Sequence, residues 1–256
     1  MNYQLNFKDN VVLITGGNGG IGKEIAKGFA SLGATTILVG RNTEKLKSTE
    51  KEILDANGKC KIIQADLNIP EEIDTLISKI KKDFGRVDIL INNAGIGHRI
   101  PSVDVTEKEW NSVLNINLTV PFILSSKIAK EFMIPQKSGK IINTASMGGF
   151  AGIPAAAAYS SSKGGILQLT RSLATEWAKY NIQVNAICPG YIATNLISAA
   201  MSNEQWMQIV KLRTPAGRVG KPEEVVGAAL FLSSQMANYI TGTYIQIDGG
   251  GYAAGF

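Results

Sequence analysis

Tyr159 and Lys163, the ends of the string YSSSK, stand four residues apart. On a helix that spacing puts both side chains on one face and within reach of each other. An ammonium beside a phenol favours the phenolate. It would draw the phenol down from its ordinary pKa of about 10, toward use as an acid or base near neutral pH. The competing reading is an aromatic packing residue beside a solvated lysine, and the string alone does not separate the two.

A second chemical group is TGGNGGIG, Thr15 to Gly22, set between an apolar strand-like run and a helical pattern. Glycines in such a turn let the backbone approach a pyrophosphate, which then sits at the helix N-terminus. The spacing is Gly-x-x-x-Gly-x-Gly, through Gly16, Gly20 and Gly22. A flexible turn is the plain alternative, but the place at the first strand–helix junction favours a dinucleotide. The second strand-like run ends ILVGRN, with Gly40 where an acid would bind ribose hydroxyls and repel a phosphate. Arg41 follows, and an arginine there accommodates a 2′-phosphate. NADP(H) is therefore expected as cofactor, with NAD(H) the alternative.

Positioning these groups requires an α/β framework. β-branched apolar runs at 11–15, 35–40, 61–65, 88–92, 140–145, 182–188 and 243–247 alternate with helical patterns at 21–33, 43–58, 70–85, 106–133, 156–180 and 222–233. Continuous apolar strands separated by crossover helices describe a Rossmann-type, doubly wound parallel sheet of about seven strands, with helices on both faces. Gly33, Gly58 and Gly85 suit left-handed helix ends. With no Pro/Ser-rich linker and no long repeat, residues 1–256 are expected to form one domain. The irregular part at about 191–221 suits a lid over the site.

With 45% apolar and 18% charged residues, the 256-residue chain can bury a large core and is not disordered. It contains no run of 18 or more consecutive apolar residues and no secretion-signal layout at its start, so no membrane association is expected. Cys60 and Cys188 lie in apolar segments without metal-ligand spacing. They read as buried thiols in a reducing cytoplasm, and no metal is expected. The net charge of +5 comes from basic residues mixed with acids along helices. That layout argues for attraction of a phosphorylated cofactor over nucleic-acid binding.

The glycine loop and the downstream Tyr-x-x-x-Lys together resemble the short-chain dehydrogenase/reductase family, over nearly the whole chain. The resemblance sets Thr15, Gly16, Gly20 and Gly22 at the defining positions of the cofactor loop, with Asn18 and Ile21 beside them. Asp66 in QADL matches the adenine-contacting aspartate, and Leu67 follows it. NNAG, Asn92 to Gly95, matches the motif closing the fourth strand and brings Asn93, Ala94 and Gly95 to the cofactor. PGYIAT matches the nicotinamide-side segment, with Pro189, Gly190, Ile192 and Thr194. DGGG, Asp248 to Gly251, is also like the family's ending. NINL supplies the catalytic asparagine, Asn117, and NTASMGG the serine, Ser146.

On that pattern Tyr159 is the acid/base, and Lys163 tunes it while holding the nicotinamide ribose. Ser146 holds the substrate oxygen, and Asn117 holds a water leading from Lys163 to solvent. Gly40–Arg41 usually accompanies NADP in the family, although the basic residue many such members carry in the glycine loop is replaced here by Gly19. The family commonly forms tetramers through its long fourth and fifth helices. Here those helices carry apolar residues on more than one face, so a homotetramer is expected.

For the substrate, the loop after the fourth strand-like run reads NAGIGHRIP and places Arg99 at the mouth of the site. A guanidinium fork binds a carboxylate bidentately, as lysine does not; a solvated loop arginine is the alternative. This stretch, with TPAGRVGKPEEVVGAALFLSS, resembles the gluconate 5-dehydrogenase and 2-deoxy-gluconate 3-dehydrogenase branch. It implies a sugar acid such as gluconate or keto-gluconate, held by Arg99, Ser146 and Tyr159. A 3-oxoacyl-carrier-protein reductase or other general ketoreductase is the rival. A non-catalytic cofactor-binding regulator would not need the Ser–Tyr–Lys set.

Overall fold

The structure is a computed structural model that describes residues 4–255. All seven apolar runs form strands: β1 (Val11–Thr15), β2 (Thr35–Gly40), β3 (Lys59–Gln64), β4 (Ile89–Asn92), β5 (Gly139–Thr144), β6 (Ile182–Pro189) and β7 (Tyr244–Ile247). They pair in parallel in the order β3-β2-β1-β4-β5-β6-β7. The strands β1 and β6 are buried along their whole length, so β1 is a continuous apolar run and even Gln183 and Asn185 of β6 lie inside. β1 pairs with β2 on one side and β4 on the other. The strand order reverses there, and a crevice opens at the carboxyl ends of the strands.

Helices α1 (Gly20–Ser31), α2 (Thr43–Asp55) and α3 (Pro70–Asp83) follow the first three strands. α2 is capped by the Asn42 side chain, which accepts from Lys45 N at 2.9 Å. α3 opens on Pro70 with Glu71 and Glu72 in its first turn and closes with Lys81 and Lys82, complementing its dipole. Gly33 and Gly85 take the left-handed conformation expected of them. At the end of α2 it is Asn57, not Gly58, that does so. Gly58 is required for closeness instead: a Cβ there would lie 2.8 Å from the Ile53 side chain and 3.0 Å from Ala30 Cβ.

The next helical stretch is a continuous rod. α4 (Glu107–Leu114), α5 (Val120–Ile128) and α6 (Ile134–Gln136) are joined by two π-helical turns, Asn115–Thr119 and Ala129–Met133. Thr106 and Glu109 form a capping box at its start. By length and composition this rod, Glu107–Gln136, could cross a membrane, although no consecutive apolar run of that length exists. Half of its most apolar window is buried inside the fold. Its polar side is tied to α3 and its flank, with Lys127 on Asp74 at 2.5 Å and Glu131 on Lys81 at 2.8 Å.

α7 (Ala157–Trp177) follows β5, and after β6 come α8 (Ser198–Met201), α9 (Glu204–Arg213) and α10 (Glu223–Ser233). Alternate residues of each strand face two cores. Leu13, Ile37, Leu90 and Ile141 pack with Leu76, Leu124 and Leu173 on one face. Val12, Ile14, Leu38 and Ile142 pack with Ile25, Phe29 and Val225 on the other. Cys60 and Cys188 are buried free thiols, and burial pushes them up to about 11 and about 12.

Candidate active site

α7 presents Tyr159 and Lys163 one turn apart, as the spacing requires. Lys163 is buried, and its Nζ donates to the Thr144 carbonyl at the end of β5 at 2.6 Å. Burial pushes the ammonium down to about 8. It lies 5.7 Å from the centre of the Tyr159 ring, over the ring face. Burial holds the Tyr159 phenol above its ordinary value, and the opposing pulls come from a Ser146 hydrogen bond and the Arg99 charge. The Tyr159 ring sits in a slot between two glycines. A Cβ on Gly97 would come within 3.0 Å of the ring, and one on Gly148 within 3.3 Å.

Ser146 follows β5 and caps the short turn Met147–Gly149, accepting from Gly148 N at 3.1 Å. Asn117 lies in the first π turn and is buried. Its Nδ2 donates to the Ile96 carbonyl at 2.9 Å and to Ser162 Oγ at 3.0 Å, and its Oδ1 accepts from Ile96 N at 2.9 Å. The side-chain amide of Asn117 is thus committed to Ile96 and Ser162. Ser162, inside YSSSK, was invisible as a functional residue in the sequence.

The glycine loop fits a pyrophosphate. Gly19 caps α1 without any side-chain hydrogen bond, no acid stands in the first turn, and Gly19, Gly20 and Ile21 line a cavity, which leaves the leading N–H groups for an anion. Gly16 and Gly20 take positive φ, and nothing lies within 4 Å of a Cβ placed on Gly19. Behind the loop, a Cβ on Gly22 would meet the Gly16 carbonyl at 2.4 Å and Asn93 Nδ2 at 2.5 Å. Thr15 is also behind it: its buried hydroxyl accepts from Asn93 N at 2.9 Å and Ala94 N at 3.0 Å, locking NNAG to β1.

Two cavities meet at this point. One, of about 330 Å³, is lined by Gly16, Asn18, Gly20, Ile21, Asn93, Ala94, Gly95, Lys163, Pro189, Ile192 and Thr194, and by Lys45. The other, of about 370 Å³, is lined by Arg99, Ile153, Tyr191, Trp206, Ile209 and Arg213 among others. Ser146, Tyr159, Gly190, Leu196 and Ile197 belong to both walls. Of the residues expected at the cofactor, Thr15, Gly22, Arg41, Asp66 and Leu67 lie outside these linings. Leu67 is in the core with Ile73 and Leu76. Arg41 and Asp66 stand past the ends of β2 and β3, 4.0 Å apart, pairing an exposed guanidinium with a half-buried carboxylate.

A family model described as enoyl-(acyl carrier protein) reductase matches residues 16–252. The chain is 37% identical to the gluconate 5-dehydrogenase of Gluconobacter oxydans, over 93% of each chain. It is 38% identical to the 2-dehydro-3-deoxy-D-gluconate 5-dehydrogenase of Dickeya dadantii, over 96% of each. The chain belongs to the short-chain dehydrogenase/reductase family. Other members are similar to it as well: a 3-oxoacyl-[acyl-carrier-protein] reductase of Aquifex aeolicus is 37% identical over 96% of this chain and 99% of that one. Among solved members, a gluconate 5-dehydrogenase of Burkholderia cenocepacia in complex with NADP and tartrate superposes with a TM-score of 0.93. It is 32% identical and covers 97% of each chain. As a short-chain dehydrogenase/reductase, this protein is an oxidoreductase acting on CH–OH groups.

Sequence reading missed several members of the cavity walls, Lys45, Trp206 and Arg213 among them. Lys45 stands in the first turn of α2, a position that only the fold turns toward the glycine loop. Trp206 and Arg213 lie on α9, and their 206–209–213 spacing with Ile209 is a one-face helical signal that could have found them.

Proposed function

We propose that this protein is an NADP(H)-dependent dehydrogenase that interconverts a secondary hydroxyl and a ketone on a sugar acid such as gluconate. The observation that carries the reading is the common wall. Tyr159 and Ser146 border both the glycine-loop cavity and a second cavity whose rim carries Arg99. The relatives named for gluconate and its keto forms support the substrate class, and the NADP complex of the Burkholderia enzyme supports the cofactor.

The bound nicotinamide supplies the hydride-transfer chemistry. The residues of this chain handle everything else. Ser146 Oγ orients the substrate oxygen, and Tyr159 takes the alcohol proton in oxidation or returns it in reduction. Lys163 secures the cofactor ribose and keeps a positive charge under the Tyr159 ring. Asn117 holds Ile96 and the start of the substrate loop in place. Gly16 to Gly22 and the N-terminus of α1 hold the pyrophosphate, while Asp66 and Leu67 border the adenine. Arg41 takes the 2′-phosphate, Asn93, Ala94 and Gly95 carry the ribose side, and Pro189, Gly190, Ile192 and Thr194 flank the nicotinamide. Arg99 holds the substrate carboxylate.

The chain works as one domain in which residues 191–221 act as a lid. It assembles as a homotetramer: Phe122 on α5 and the exposed Met236 and Tyr239 before β7 offer apolar surface for other copies. Cytoplasmic residence fits two free buried thiols. A substrate panel is the test. Turnover of an aldonate or its keto form with NADPH or NADP, and little with acetoacetyl thioesters, is expected; the reverse pattern overturns the assignment. Light scattering at micromolar concentration should return four times the chain mass, and a monomeric mass rules the assembly out.

A further inference from the structure

The geometry points to Arg213 as a second carboxylate anchor, carried on the lid side of the substrate cavity. The inference rests on the sugar-acid reading above and adds a specificity-determining residue to it. The chain has six arginines. Arg41, Arg86 and Arg218 are ion-paired with Asp66, Asp88 and Glu224, and Arg171 is bonded to the Gln168 side chain. The remaining two, Arg99 and Arg213, are the two that line the substrate cavity. Neither has an acidic partner among the described residues. Arg99 is oriented by one bond, from Nη1 to the Pro154 carbonyl at 2.9 Å, which leaves the rest of its fork for a ligand.

The cavity's own carboxylate does not answer these charges. Asp248 accepts from Gly250 N at 3.0 Å through one oxygen and from Tyr252 N at 2.8 Å through the other. Two guanidinium charges against this one carboxylate, which is salt-bridged to neither, leave the cavity wall net positive and favour an anionic ligand. The helix that carries Arg213 is built to face this ligand. Trp206, Ile209 and Arg213 fall on one side of α9 and all line the cavity, and Trp206 stands edge-on to Tyr191 with ring centres 5.4 Å apart. The apolar pair packs the body of the ligand, and the guanidinium at the helix end meets its acid group. Arg213 also sits in the last turn of α9, where a cation favours the helix dipole. That role would be shared by its neighbour Lys211 and would affect stability alone.

The experiment compares Arg213→Met, Arg213→Lys, Arg99→Met and Lys211→Met in steady-state assays on gluconate or its keto form and on a neutral ketose or polyol. A charge-assisted hydrogen bond to a carboxylate is worth enough for about a tenfold change or more in binding. Arg213→Met is expected to raise the acid-to-neutral KM ratio about tenfold. Arg213→Lys should recover most of it, and Lys211→Met should leave the ratio at the wild-type value. If Arg99→Met raises the ratio while Arg213→Met does not, Arg213 is no anchor and the sugar-acid reading stands. Equal KM increases for acid and neutral substrates would assign Arg213 to lid packing and overturn the inference. If wild-type enzyme turns over no sugar acid, both fall together.

Discussion

Ser162 Oγ accepts from Asn117 Nδ2 at 3.0 Å and donates to the Tyr159 carbonyl at 2.7 Å. One buried hydroxyl therefore fastens the π turn of the rod to the first turn of α7. This accounts for a hydroxyl residue between Tyr159 and Lys163: the position is fully buried, and anything apolar there leaves the Asn117 amide short of a partner. Ser162→Ala should cost about 1–3 kcal/mol of stability, the usual penalty for orphaning a buried donor. It should also lower kcat more than it raises KM, because Asn117 and the Tyr159 backbone lose their common tether. Thermal melts and steady-state kinetics check both parts, and an unchanged kcat would reduce the contact to packing.

Lys163 works at a cost to the fold. Its folded value of about 8 lies below the ordinary lysine value of 10.5. Below about pH 8, folded and unfolded chains both carry the proton, and the burial penalty is present in full. Between about 8 and 10.5 the folded protein releases that proton first, so this group's contribution to stability rises with pH. The raised thiols Cys60 and Cys188 act with the opposite sign; Cys60 is common to both variants compared, and Cys188, which Lys163 pulls down, titrates above the window used here. Lys163→Met should therefore be inactive yet melt higher than wild type at pH 7, with the gap narrowing as pH is raised through 8 to 10.5. A lower melting temperature for the variant at pH 7 would contradict the assignment of the penalty to this lysine.

Cofactor choice should be switchable at Gly40. A Cβ there would meet Asn18 no closer than 3.5 Å, an ordinary contact, so an aspartate fits without moving the backbone. Its carboxylate would bind ribose hydroxyls and repel a 2′-phosphate beside Arg41. Gly40→Asp should lower kcat/KM for NADPH at least tenfold and raise the relative use of NADH. Lys45→Met should weaken NADPH alone, to a smaller extent. Unaltered NADPH preference in Gly40→Asp would remove the 2′-phosphate from this corner.

Gly22 should tolerate no side chain. The clash of its added Cβ is with the Gly16 carbonyl and the Asn93 amide, which are a backbone group and a side chain already anchored on Thr15. Gly22→Ala is expected to lose cofactor affinity, followed as quenching of protein fluorescence on NADPH titration. Gly19→Ala, which meets nothing within 4 Å, should retain it.

The strands were legible because each carries a β-branched apolar run through its middle, and Tyr159 with Lys163 because helical spacing fixes which side chains share a face. Spacing does not fix where a flexible ammonium ends, and the Thr144 carbonyl at the end of β5 decides that for Lys163. The position of Arg99 at the cavity mouth was readable from the loop after the fourth strand. Ser162 and Lys45 were not: Ser162 acts through Asn117, far away in sequence, and only the fold turns the first turn of α2 toward the glycine loop. At the end of α2, Asn57 and Gly58 were both suited to the left-handed position, and only the packing of Ile53 and Ala30 against Gly58 chose between them.

The two π turns set the phase of the long rod. Its inward residues recur every fourth position: Val113, Asn117, Pro121, Ser125, Ala129 and Met133, with Val120, Leu124, Ile128 and Phe132 alongside. A regular α-helix advances about 100° per residue, so a strict four-residue repeat would drift by about 40° each time and leave the core within a few turns. Each π turn winds more slowly and takes up part of that drift. A helical wheel drawn at the regular pitch therefore spreads one inward stripe over several faces and overstates how much of the rod is free to meet another subunit. Deleting a single residue between Asn115 and Thr119 would restore the regular pitch and swing Asn117 away from Ser162, a change that neither composition nor hydropathy would register.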